Sequence, residues 1–163
     1  MGTYKLLLDD DVEDSFFLIA IHCSEEPYKI AFMLNKHLSM QLQRKRNDLV
    51  LWKEEMEASY ALFRFENEMR YTTYYLVKNK SRREVKNVQT TNSLFPETTS
   101  EKTVTTYLLP EFKKADYFLK IESDMDLFPI RKIVSQINEI KEVISAYLVD
   151  HDHIKSHTNL IFY

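Results

Sequence analysis

A chain of 163 residues with 44% hydrophobic residues, ten Phe, ten Tyr and one Trp can bury about 70% of the surface its unfolded form exposes, so one folded domain over residues 1–163 is expected and general disorder is excluded. The formal charge of -3 excludes a chain given over to polyanion binding, which needs a basic surplus. A single cysteine, Cys23, and a single glycine, Gly2, exclude a disulfide framework, a cysteine zinc site and the P-loop, Rossmann and GxSxG sites, whose loops require glycine.

The opening MGTYKLLLDDDVEDS places three leucines before a cluster of acids, and no later apolar run approaches ~18 residues, so neither a signal peptide nor a membrane span is expected. A lone cysteine fits a cytoplasmic location. The run FFLIAIHC, from Phe16 to Cys23, is short and nearly all apolar, as in a strand buried on both faces. A helix follows, with Ser24 as the expected N-cap and Pro27 in its first turn. Ile30, Ala31, Leu34 and Leu38 form its core-facing stripe. Met40 and Leu42 then alternate with polar residues into QRKRND, which reads as an amphipathic strand with a basic exit.

Tyr60 to Phe65 and Tyr71 to Val77 pattern as a hairpin turning near Asn67-Glu68-Met69. The stretch at about 79–104 is polar and threonine-rich, and reads as a long connection, a flap or a flexible segment. With glycine confined to position 2, tight turns are expected at Asn and Asp: Asn47-Asp48, Asn67 and Asn79. The second half repeats the strand-helix-strand order. Tyr117 to Ile121 is a strand, Asp126 the expected N-cap, and Pro129 lies three residues past it. Ile130, Ile133, Val134, Ile137 and Ile140 keep helical spacing, and Val143 to Val149 is the last strand.

These elements predict an α+β fold with two βαβ units joined by antiparallel strands. The expected architecture is a ferredoxin-like or ACT-like mixed sheet with helices on one face. Its other face would lie open and aromatic-rich, which favours a homodimer.

The segment LLPEFKKADYFLKI, Leu108 to Ile121, resembles the signature of the IPExxxVDY family of Bacteroidetes-type bacterial proteins. Leu109 and Ala115 stand for the pattern's Ile and Val, while Pro110, Glu111, Asp116 and Tyr117 match it. The likeness extends to FFLIAIHCSEEPYKIAFMLNKHL and AYLVDHDHIKSHTNLIF, and it implies no activity, cofactor or site residues. Read physically, Pro110 redirects the chain and Glu111 starts a single turn, with Asp116 at the entry to the next strand. Turn chemistry accounts for this spacing, with Glu111 accepting backbone N–H groups and Asp116 pairing with Lys113 or Arg131. The functional alternative makes Glu111 and Asp116 a carboxylate pair in a cleft, able to hold a metal or share a proton.

Three further constellations stand out. His151, His153 and His157 could ligate a metal, against the simpler reading of a solvated connector. Arg44, Lys45 and Arg46 with Arg82 and Arg83 could form a basic patch beside Tyr71, Tyr74 and Tyr75, the makings of a platform for single-stranded RNA; charged protection of a sheet edge explains them more simply. Cys23 reads as a buried structural thiol. No motif carries an enzyme reading and no cofactor is implied. The sequence points first to a non-enzymatic module binding a small molecule or a protein, then to an RNA-associated protein, and last to a metal-dependent hydrolase.

Overall fold

The computed structural model describes residues 16–86 and 101–163. In chain order the elements are β1 (Phe16–His22), α1 (Pro27–Leu38), β2 (Gln43–Arg44), β3 (Leu49–Lys53), β4 (Met56–Tyr60), β5 (Leu62–Asn67), β6 (Thr72–Lys78), β7 (Lys80–Lys86), β8 (Glu101–Tyr107), β9 (Tyr117–Ser123), α2 (Ile130–Asn138) and β10 (Ser145–Leu148). No helix among the described residues is long and apolar enough to cross a membrane.

Six strands form one sheet in the order β10-β1-β9-β6-β5-β2, and every neighbouring pair is antiparallel. The α+β class therefore holds, but the sheet is not mixed. The strands flanking each helix run in the same direction without touching: β1 separates β9 from β10, and β9, β6 and β5 separate β1 from β2. Period-two alternation divides the apolar strand β1 between two cores. Ile19 and Ile21 face the helices with Ile30, Leu34, Ile133 and Ile137. Leu18 and Ala20 face the opposite side.

That opposite side is not open. Leu49, Leu51, Ala58 and Tyr60 of the β3–β4 hairpin, Leu108 to Ala115, and Ile154 to Phe162 of the tail pack over it. The chain thus covers with its own elements the face on which a dimer seam was expected. The hairpin escapes sequence reading because its two-residue turn uses Glu54 and Glu55, both at positive φ (48° and 64°), as a type I′ turn requires. The other positive-φ residues among those described, Ser39 and Tyr71, are likewise neither Asn nor Asp, so the expected turns at Asn47-Asp48, Asn67 and Asn79 are not where the backbone turns left-handed. Each such residue costs about 1 kcal/mol or more relative to glycine.

Both helices start later than expected. The N-cap of α1 is Glu26, with Pro27 as the first helical residue; the N-cap of α2 is Pro129 itself, not Asp126. Neither has a side-chain cap. The strand expected from Met40 shrinks to Gln43–Arg44, because Asn35 captures the backbone before it reaches the sheet. Leu42 N–H donates to Asn35 Oδ1 (2.8 Å) and Asn35 Nδ2 donates to Leu42 O (3.1 Å). The second unit repeats this clamp. Ala146 N–H donates to Asn138 Oδ1 (2.8 Å) and Asn138 Nδ2 to Ala146 O (2.8 Å). An asparagine near the helix end thus ties down the strand segment that follows, in both halves of the chain.

The connection expected at about 79–104 begins and ends as strand. Lys80–Lys86 pairs with Glu101–Tyr107 as the β7–β8 ribbon; residues 87–100 lie outside the described residues.

Candidate functional site

The turn from Leu108 to Asp116 is organised around Asn79, which is fully buried. Its side chain donates to the carbonyls of Phe112 (2.9 Å) and Ala115 (2.8 Å) and accepts from Leu109 N–H (2.9 Å). Its own carbonyl accepts from Leu108 N–H, and its N–H donates to Asp116 O. One side chain therefore satisfies the polar backbone of a turn that Pro110 starts and no ladder supports. Asn79 reads from sequence as a turn residue. The buried amide is instead the pivot between β6 and β7.

Asp116, at the exit of this turn, faces the opposite way from Glu111. Asp116 Oδ2 accepts from Cys23 N–H (2.9 Å) and Oδ1 from Lys80 Nζ (2.7 Å). Each member of the ion pair keeps 25% of its side chain exposed. Drawing Cys23 N–H to Asp116 keeps the chain extended past β1, which is why α1 begins at Pro27 instead of directly after Ser24. The Tyr117 hydroxyl donates to Glu25 O (2.6 Å); burial, reinforced by Cys23 and nearby carboxylates, holds that phenol well above its ordinary range. Burial also pushes the Cys23 thiol up, against the opposing pull of the Glu25 backbone, the reverse of the shift that activates a cysteine nucleophile.

Glu111 is committed to the tail. Its Oε1 accepts from Lys155 N–H (2.8 Å) and Ser156 N–H (2.9 Å), and Oε2 from Ser156 Oγ (3.2 Å). Burial works to raise its pKa but is outweighed by these donors and its own N–H, which hold the carboxyl below its usual range. Glu111 and Asp116 are thus not brought together, and the carboxylate pair does not form. Pro110 is exposed and opens the turn. Asp116 pairs with neither Lys113 nor Arg131.

Asp116, Tyr117 and Lys80 line a cleft of about 570 Å³ together with Cys23, Ser24, Glu25, Glu26 and Pro27 from the approach to α1, Asp48, Ser59 and Ala61, and Lys78, Ser81 and Arg82. Lys78 and Lys80 carry no motif in the sequence, standing where the apolar run of β6 gives way to a polar stretch.

The basic patch is divided. Arg44 is ion-paired with Asp48 and sits over the Phe63 ring, Lys45 donates to the Tyr163 carbonyl, and Arg46 is exposed beside them. Arg82 lines the cleft while Arg83 reaches the Glu57 carbonyl (3.4 Å). The tyrosine platform is not presented, since Tyr74 and Tyr75 are buried on opposite faces and only Tyr71 is exposed.

His151, His153 and His157 lie on 3-10 turns, not on a strand. His151 Nε2 is engaged with the Phe16 carbonyl (2.6 Å), and no three His, Cys, Asp or Glu side chains converge as a metal site among the described residues. His151 and His157 instead border a hollow over Lys120. That buried ammonium donates to Glu122 (2.6 Å) and to Leu160 O (3.0 Å) beneath the rings of Phe16, Tyr75 and Phe162. Lys120 is accounted for as the anchor of the tail.

No family model, curated protein or solved structure matches the chain.

Proposed function

We propose that this chain is a non-enzymatic binding module that holds a small polar molecule in the cleft between the Asp116 turn and the start of α1. The observation that carries the reading is the Lys80–Asp116 pair. It is fixed from behind by Cys23 N–H, yet a quarter exposed at the floor of a cleft large enough for a metabolite-sized ligand. Fixed polar groups in a concave site are what orient small ligands. A Cys23 thiol pushed up by burial and a carboxylate already engaged by a lysine favour holding a ligand over transforming one. The resemblance to the IPExxxVDY signature gains physical sense in this reading, because Pro110, Glu111 and Asp116 form the turn that presents the floor. The β9–α2–β10 unit with β1 inserted supports a ferredoxin-like description of the frame.

The test is a thermal-shift panel of small polar metabolites on the wild type and on Ser24→Trp, which places a bulky ring in the cleft at an exposed position without side-chain bonds. At least one compound is expected to raise the wild-type Tm and to leave the variant unmoved. A panel without hits, or hits shared equally by both proteins, would overturn the reading.

A further inference from the structure

We infer that the cleft selects a small molecule bearing an oxyanion, a phosphate or a carboxylate, and that Lys78 and Arg82 are the residues that bind it. This rests on the binding reading above and gives it a ligand class.

The inference comes from the ionic partners of the cleft. Seven charged side chains line it: Glu25, Glu26, Asp48, Lys78, Lys80, Arg82 and Asp116. Three of the acids are already neutralised, Glu25 by Lys29, Asp48 by Arg44 and Asp116 by Lys80. Lys78 and Arg82 have no ion pair or side-chain hydrogen bond among the described residues, and Glu26, at the exposed mouth, has none either. Two uncommitted cations therefore face one uncommitted acid in a lining of four acids and three cations, so the lack of partners at Lys78 and Arg82 among the described residues marks the place for an anion.

The placement of the cations is also fixed. Lys78 at the end of β6 and Lys80 and Arg82 on β7 line the same cleft, on either side of the bend at Asn79. Between Lys78 and Arg82 in the chain, Lys80 is held by Asp116. Asn79, between Lys78 and Lys80, is pinned on both backbone groups and all its side-chain polar atoms. These cations are therefore carried on a rigid base, not on a mobile loop. Hydroxyls complete the set of donors. Ser81 Oγ accepts from Ser59 N–H (3.3 Å), which leaves its proton free to donate, and Ser24 stands on the facing wall. Paired cations with short hydroxyl donors suit an oxyanion, to which charge-assisted hydrogen bonds are short and strong.

The experiment is isothermal titration of the full chain with inorganic phosphate, pyrophosphate and citrate at low salt, repeated with Lys78→Gln, Arg82→Gln and the double variant. Both side chains reach solvent, so folding should survive, and circular dichroism checks it. Binding of at least one anion is expected, about tenfold weaker in each single variant and weakened by salt in the wild type more than in the variants. Binding of phosphates alone identifies a phosphorylated ligand, and binding of citrate alone a carboxylate. Absence of anion binding, or binding equal in wild type and double variant, overturns the inference. If a neutral or cationic compound is nevertheless displaced by Ser24→Trp, the cleft reading stands and only the ligand class is wrong.

Discussion

Replacing Asn79 by alanine removes three hydrogen bonds at once, to Leu109 N–H and to the carbonyls of Phe112 and Ala115. Leu109 and Ala115 are fully buried, so water cannot take over at either without opening the turn. At about 1 kcal/mol for each bond, with a further cost where a buried group is left alone, the loss comes to roughly 3–5 kcal/mol. That is a large part of the ~5–15 kcal/mol available to a domain, and corresponds to a Tm lower by about 6–20 °C. Asn79→Asp separates the parts of this argument. It keeps the acceptor for Leu109 but sets a carboxylate against two carbonyl oxygens, so its folded-state pKa must be raised. A raised carboxyl destabilises above its unfolded pKa and recovers as it takes up a proton, so the gap from wild type should narrow between pH 7 and pH 5. Urea unfolding at the two pH values measures both effects. A loss below about 1 kcal/mol for Asn79→Ala, or a gap for Asn79→Asp that ignores pH, would refute the reasoning.

Glu111 has a depressed pKa in the folded state, so its contribution is complete above the unfolded value of 4.5 and is lost as pH falls through the lower folded value. Acid unfolding below about pH 4.5 should be less steep in Glu111→Gln, and an unchanged slope would refute the role given to the Lys155 and Ser156 donors. Asn138→Ala frees Ala146 N–H and C=O on the outer edge of β10, a strand with only β1 beside it among the described residues. Besides a stability loss of about 1–3 kcal/mol, light scattering should detect concentration-dependent association through the exposed edge; a variant that is both stable and monomeric at high concentration would show that the clamp does not guard it.

What could be read from the sequence was local. Strands β1 and β9 announce themselves as short, nearly all-apolar runs, and both helices by apolar residues that keep helical spacing. The β5–β6 hairpin also emerges, since Asn67 caps the turn it was expected to make, accepting from Arg70 N–H. Three things were not legible, each for a different reason. The β3–β4 hairpin turns on two glutamates, residues without turn preference, held at positive φ by the pairing of Lys53 with Met56. The all-antiparallel order depends on which strands insert between which, a matter of assembly that no window of sequence records. In the candidate site, Pro110 and Asp116 could be singled out as motif residues, but Asn79 is more than thirty positions upstream of Ala115, and its bond to that carbonyl exists only once β6 and β9 are side by side. Lys78 has no motif, and Arg82 stands out in the sequence only as half of a basic pair with Arg83; the lack of partners among the described residues is what joins them, and partners are a property of the fold.

The place of β1 in the sheet bears on the order in which the protein assembles. Its two neighbours are β9 and β10, whose residues follow it by roughly a hundred positions, so FFLIAIH has no strand to pair with while residues 16–86 are all that has been made. The first strand-helix-strand segment cannot close a sheet alone, because its own second strand sits at the far edge, beyond β5, β6 and β9. Contacts of such long sequence separation are slow to form. An intensely apolar strand with both edges unpaired is also a hazard until they do. A nascent chain stalled before Tyr117 should therefore need shielding from its neighbours, and the turn from Leu108 to Asp116, which delivers β9 into the gap beside β1, is the step that ends that exposure.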